Sequence, residues 1–200
     1  MDNIQTIKED ARRRRVPIIR DKSHALLEEI TESLNPINIL EIGTAVGYSG
    51  ISMLAKAKNA SLITIELDQN KVIEARENFK NAGMEDRATV INADCVQELE
   101  KMASEGSFNK YFDLVFLDGP KGQYINMLES IISLTKGGGT VVADNVLFRG
   151  YVDGSVKMPR RFKTIVKRLH MLFDAVKSHP QIAEHKLYDI EDGVLVFKLK

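Results

Sequence analysis

The chain has 200 residues, 44% hydrophobic and 28% charged, with a formal net charge of zero, so bulk charge selects no partner and one ordinary globular domain, residues 1–200, is expected. A single cysteine, Cys95, excludes an internal disulfide and a cysteine zinc cluster. No stretch approaches the about 20 apolar residues of a membrane span, and "ARRRR" followed by a short "VPII" is not a signal peptide, so a cytoplasmic protein is expected.

Residues 1–35 read as a helical cap region, with Ala25, Leu26, Leu27, Ile30 and Leu34 on one side of a helix over 22–34. Five short, nearly continuous apolar runs follow, "INILEI" (37–42), "SLITIE" (61–66), "ATVIN" (88–92), "FDLVFLD" (112–118) and "GTVVAD" (139–144). Buried parallel strands have this character. Amphipathic stretches lie between them. Over 69–82, Val72, Ile73, Ala75, Arg76 and Phe79 recur at helical spacing, and Gly83 is placed to end that helix. Over 124–135, Met127, Leu128, Ile131, Ile132 and Leu134 do the same. This alternation predicts a doubly wound α/β sheet with helices on both faces. At the C-terminus, "EHKLYDIEDGVLVFKLK" is two strand-like runs joined at "EDG", a hairpin. A mostly parallel seven-stranded sheet ending in an antiparallel hairpin resembles the Rossmann-like architecture of class I methyltransferases.

Residues 159–177 form the clearest amphipathic helix, with Pro159 at its first position and Phe162, Ile165, Val166, Leu169, Leu172, Phe173 and Val176 on one face. Arg160, Lys163, Lys167 and Arg168 project from the other. Between Arg149 and His170 there are seven Lys or Arg and one acid, Asp153. Such a face is either a solvated surface or a dock for a polyanion.

Polar residues gather where the apolar runs end. "LEIGTAVGYSG" (40–50) leaves the first strand and opens a helix. Gly43 permits close backbone approach and Gly47 relieves crowding at the helix start, where N–H groups can meet a negative group. Glu66 ends the second run, placed to accept hydrogen bonds from both ribose hydroxyls of a nucleotide. Asp94 follows the third, placed to reach an adenine amino group, although Asp94 and Asp68 could each simply cap a helix. The pattern Glu41-x-Gly43-x-x-x-Gly47 is not the G-x-G-x-x-G of nicotinamide enzymes, and it suits a ligand with an amino-acid tail. No Gly-x-Ser-x-Gly elbow and no Walker lysine is present. The histidines show no metal spacing, and Cys95 reads as packing.

Asp118 and Asp144 end the fourth and fifth runs. Neighbouring parallel strands bring such ends together, and with Asn145 they form a hard oxygen set of the Mg²⁺ type, or for another divalent cation. Lys121, past the turn at Gly119-Pro120, is within reach of Asp118. Singly, each of these groups could be a cap or a surface residue.

"EIGTAVGYS", "IELD", "FLDGPKGQY" and "ADNVLFRG" together resemble the metal-dependent O-methyltransferase family that includes catechol O-methyltransferase, and within it the bacterial tRNA 5-hydroxyuridine methyltransferases. The resemblance runs from about Arg12 to Lys200. It implies S-adenosylmethionine as cofactor, held at Glu41, Gly43, Thr44, Gly47, Tyr48, Ser49, Glu66, Asp94, Cys95 and Asp118. It implies a metal at Asp118, Asp144 and Asn145, and catalysis by Lys121 as general base with Asp118. It implies a tRNA wobble 5-hydroxyuridine as acceptor and a homodimer; the basic residues Arg149, Arg160, Arg161 and Lys163 are the candidate tRNA contacts, and with no Trp in the chain Phe148 or Tyr151 is the candidate to stack on an unpaired base. A catechol or similar small phenol is the alternative acceptor, and a non-catalytic SAM- or RNA-binding module the second alternative. Against the family, the chain is expected to lack a helix before "RRVPI".

Overall fold

The computed structural model describes residues 2–200. In chain order the elements are α1 (Asp2–Arg13), α2 (Asp21–Leu34), β1 (Asn38–Ile42), α3 (Tyr48–Lys56), β2 (Ser61–Glu66), α4 (Gln69–Asn81), β3 (Ala88–Asn92), α5 (Cys95–Glu105), β4 (Phe112–Leu117), α6 (Tyr124–Leu134), β5 (Thr135–Asp144), α7 (Lys163–Ser178), β6 (Ile182–Tyr188) and β7 (Val194–Leu199). The seven strands are ordered β3-β2-β1-β4-β5-β7-β6. The chain divides into two compact units, Met1–Cys95 and Val96–Lys200. Among the described residues no helix is long and apolar enough to cross a membrane.

In the first unit β1, β2 and β3 are parallel, with Ile42 level with Ile65 and Glu66 level with Asn92. Four of the five β1 residues are buried, which is why the run reads as continuous rather than alternating. The helix expected over 69–82 is α4. Asp68 caps it, accepting the Asn70 N–H at 2.9 Å. Gly83, at φ +66°, ends it, with the Met84 N–H returning to the Phe79 carbonyl at 2.9 Å. Val72, Ala75 and Phe79 are buried, whereas Ile73 is exposed, so the apolar stripe is narrower than its spacing suggests.

Two expectations at the N-terminus are corrected. A helix, α1, does precede "RRVPI". Among its described side chains only Ile7 and Ala11 are in the core, and apart from Ile4 the others are polar, so its sequence carries a weak apolar signal. In α2 the buried stripe is Ser23, Leu27 and Thr31, while Ala25 is exposed. Thr31 is admitted to that stripe because its hydroxyl donates back to the Leu27 carbonyl at 2.7 Å.

In the second unit β4 and β5 are parallel and β5, β7 and β6 antiparallel. The C-terminal hairpin is as expected, with Gly193 in its turn at φ +78°. Strand β5 begins earlier than its apolar run, at Thr135. Phe112 is level with Thr135 but Leu114 with Thr140, so the glycine-rich segment 136–139 is absorbed as an irregularity in the ladder. Helix α6 buries all five residues predicted for it. Pro159 stands outside α7 in extended backbone, and one turn of 3₁₀ helix, Arg160–Phe162, leads in. The buried face of α7 is Val166, Leu169, Leu172 and Val176.

Candidate functional site

In the first unit the turn after β1 is built around buried polar groups. Glu41 is fully buried within β1. Its carboxylate accepts hydrogen bonds from the Ser49 hydroxyl and, at 2.7 Å, from the Thr64 hydroxyl, and Thr44 and Thr64 share a hydrogen bond at 2.6 Å. The side chains of Glu41, Thr44 and Ser49 therefore lock β1, β2 and the start of α3 together. Gly47 begins that helix at φ +83°, and a Cβ there would lie 3.2 Å from the Phe79 ring. At Gly50 a Cβ would meet Leu62 at 2.7 Å, Phe79 at 2.8 Å and the Glu41 carboxylate at 3.1 Å. Only glycine lets α3 approach this closely, and the sequence reading passed over that residue.

Glu66 ends β2 with both carboxylate oxygens oriented. One accepts the Ala45 N–H and the other the Asp68 N–H, each at 3.0 Å. Ala45 is held at φ +44°, a conformation few side-chain-bearing residues adopt, and it aims its N–H at Glu66. A carboxylate offers about four acceptor positions, so Glu66 keeps capacity for two ligand hydroxyls. Asp94 is half-buried directly before α5, and Cys95, buried, opens that helix.

Tyr48 follows Gly47 and is buried. Its ring stacks on His24 of α2, centroids 4.7 Å apart, with the hydroxyl 3.4 Å from Nδ1. Burial raises the Tyr48 pKa above its ordinary value. Burial also lowers that of His24, against the upward pull of Glu28, whose carboxylate is 4.0 Å from Nδ1. This contact ties α2 to the start of α3. Sequence could not show it, because neither residue sits in a recognisable pattern with the other.

In the second unit Asp118 follows β4 and Lys121 lies on it, Nζ 2.7 Å from Oδ1, with both side chains 18% exposed. Tyr124 is fully buried, and its hydroxyl donates to the carbonyls of Leu117 at 2.9 Å and Asp144 at 3.3 Å. One hydroxyl thus braces the carboxyl ends of β4 and β5, from which Asp118 and Asp144 emerge. Asp144 is 1% exposed, and Asn145 follows at φ +58°. Among the described residues no three His, Cys, Asp or Glu side chains gather as a metal-holding group. The expected set has two carboxylates and one amide.

The segment after Asn145 folds back onto the hairpin turn. Val146 and Leu147 donate N–H groups to the carbonyls of Gly193 and Asp192 at 3.0 and 2.9 Å, and the Arg149 N–H donates to the buried Asp192 carboxylate. A Cβ on Gly193 would lie 2.4 Å from Leu147 Cγ. Asp192 was read only as part of the hairpin turn; it also holds this loop. The loop carries Phe148 and Tyr151 against Phe162, with centroids at 5.3 and 5.4 Å. The Arg149 and Arg161 guanidiniums lie 5.8 and 4.8 Å from the Phe162 ring centre. Arg160 and Lys163 are exposed beside them. Arg168 does not join this basic face: its Nη1 donates to the Gly122 carbonyl at 3.0 Å.

A mostly parallel seven-stranded sheet with an antiparallel end and polar groups at its strand ends defines a Rossmann-like methyltransferase fold. The O-methyltransferase family model matches residues 4–200, and the chain belongs to that family. It is 33% identical over 136 residues to the catechol O-methyltransferase of Niastella koreensis, a match covering 64% of this chain and 61% of that one. Matches to the first curated relatives span 53% to 63% of their lengths. A candidate caffeoyl-CoA O-methyltransferase from Staphylococcus aureus superposes with a TM-score of 0.86 at 27% identity, over 98% of this chain and 92% of that one. An O-methyltransferase from Bacillus cereus in complex with SAH shares the fold, with a TM-score of 0.83 at 21% identity, over 100% of this chain and 91% of that one.

Proposed function

We propose that the chain transfers the methyl group of S-adenosylmethionine to a hydroxyl of a small aromatic acceptor of the catechol or caffeoyl type. The observation that carries this reading is the Lys121–Asp118 pair at 2.7 Å, set at a strand end that Tyr124 braces to that of Asp144. Membership in the O-methyltransferase family and the names of the similar proteins support the reaction class and the small acceptor.

In the reaction the acceptor oxygen forms a bond to the sulfonium methyl carbon as the carbon–sulfur bond breaks, and S-adenosylhomocysteine leaves. The chain's own groups divide the work. Glu66, oriented by two backbone N–H groups, receives the ribose hydroxyls, and Asp94 meets the adenine. The N–H groups at the start of α3 face the amino-acid tail, with Gly43 and Gly47 allowing close approach. Lys121 acts at Nζ: as an amine it takes the acceptor proton, and as an ammonium it holds the developing oxyanion.

Asp118, Asp144 and Asn145 fit a hard divalent cation such as Mg²⁺, since all their donors are oxygens. Such an ion supplies a lowered pKa and a fixed direction for a bound hydroxyl. The remaining contribution is positioning, for which about 7–11 kcal/mol is the ceiling.

A second reading, tRNA 5-hydroxyuridine as acceptor, is favoured by one observation. The Phe148, Tyr151 and Phe162 rings with Arg149 and Arg161 make a surface of stacking planes and cations beside Arg160 and Lys163, which suits an unpaired base and its phosphates. The experiment offers labelled S-adenosylmethionine with catechol, caffeoyl-CoA or tRNA bearing unmethylated 5-hydroxyuridine, each with Mg²⁺ and with EDTA. Label in a small acceptor that EDTA abolishes is the expected result. Label confined to tRNA, falling steeply with salt, would replace the small-acceptor reading. No label in any acceptor would overturn both.

A further inference from the structure

We propose that Arg168 is a positioning residue for Lys121, acting through the carbonyl of Gly122. This rests on the methyl-transfer reading above and adds to it a residue on a distant helix. Lys121 opens a single turn of 3₁₀ helix, Lys121–Gln123, between Pro120 and α6. The turn closes through two backbone bonds, from the Gln123 N–H to the Pro120 carbonyl at 2.7 Å and from the Tyr124 N–H to the Lys121 carbonyl. So short a turn is weakly held by its own bonds. Its other hold comes from α7. Arg168 Nη1 donates to the Gly122 carbonyl at 3.0 Å, and the Arg168 side chain is half-buried in doing so. Ile165, three residues earlier on the same face of α7, lies against Gly122: a Cβ there would be 3.4 Å from Ile165 Cγ1.

The Lys121 side chain is thus fixed at both ends. Asp118 holds Nζ. Arg168 and Ile165 hold the backbone from which the stem departs. A charged donor to a carbonyl is among the stronger protein hydrogen bonds, and a side chain misplaced by about 1 Å can cost about a hundredfold in rate. Arg168 also stands in the run of basic residues whose other members face solvent, so its charge serves the turn rather than the surface.

The test is Arg168→Met, which keeps an apolar stem and removes the donors, with Arg168→Lys as the conservative variant and thermal unfolding as the check on folding. We expect kcat to fall about tenfold to a hundredfold in Arg168→Met, with KM for S-adenosylmethionine unchanged and part of the rate restored in Arg168→Lys. In a Lys121→Met background, Arg168→Met should lower kcat no further, because it acts through that lysine. Amide hydrogen exchange at Gly122 and Gln123 should quicken in Arg168→Met, a readout that needs no turnover. Unchanged exchange, or rate losses that multiply in the double variant, would overturn the proposal. Full turnover in Lys121→Met would remove the role of Lys121 and this proposal with it. Quickened exchange in Arg168→Met would then show that the anchor exists and that the reaction reading is what failed.

Discussion

Glu66 and Asp118 are both carboxylates at the carboxyl ends of parallel strands, yet they are held in opposite ways. Glu66 is met by two backbone N–H groups, and Glu41 behind it by two hydroxyls. These donors orient a carboxylate without cancelling its charge. Asp118 is met by an ammonium, which offsets its charge. The donors around Glu66 and Glu41 belong to the fold itself and stay where it puts them. On the proposed reaction, the first carboxylate, Glu66, recognises the cofactor and the second, Asp118, serves the chemistry.

The sharpest way to break this comparison is at Lys121. Lys121→Met should lower kcat by about 10²–10⁴-fold, the usual scale for a positioned acid or base, with the Kd for S-adenosylmethionine unchanged by calorimetry. A loss confined to cofactor affinity would place Lys121 with recognition instead. Next comes Glu66→Ala. Each hydrogen bond to a charged group contributes about 1.5–3 kcal/mol, so loss of two ligand bonds should weaken S-adenosylmethionine binding by tenfold or more. An unchanged Kd would show that the ordered carboxylate serves only the turn.

Gly50→Ala tests the packing behind Glu41. With Leu62 and Phe79 both inside 3.0 Å of the new Cβ, overpacking of about 1–3 kcal/mol is expected, read as a lower denaturant midpoint. A neutral result would mean that α3 can withdraw from β2 without cost. The smallest effect concerns His24. Its folded pKa lies below the ordinary 6.5 because of burial, so the unfolded chain binds its proton first as pH falls. Stability from this group is complete above about pH 6.5 and declines below it, until the folded pKa is reached. Glu28 opposes the shift, and Lys8, Asp21 and Lys56 also act on the ring. His24→Phe, which preserves an aromatic ring against Tyr48, should flatten the fall in Tm between pH 7.5 and 5.5. An identical slope would assign the acid sensitivity elsewhere.

The first five strands were legible because each contains a local apolar run, and four of them match their runs within a residue at each end. The start of β5 was not, since Lys136 and the glycines at 137–139 look like a loop, and only the partner strand β4 makes them part of the ladder. Helix α1 was missed because just two of its described side chains, Ile7 and Ala11, reach the core. Glu66, Asp118 and Asp144 were legible as acids at the ends of apolar runs. The bracing of two strand ends by the Tyr124 hydroxyl appears only once α6 is packed beside them.

From sequence alone came the order of the elements, the polar residues at the strand ends and the family, because apolar periodicity and turn chemistry act within a few neighbouring residues. Tertiary structure alone decided what those residues touch. Arg168 meets Gly122 across 46 positions, Arg149 meets Asp192 across 43, and Tyr48 meets His24 across 24. None of these pairs shares an element, so no local period encodes them. They form because burying the sheet and the helix faces brings these backbone and side-chain polar groups out of water together, where each must find the partner that the topology supplies.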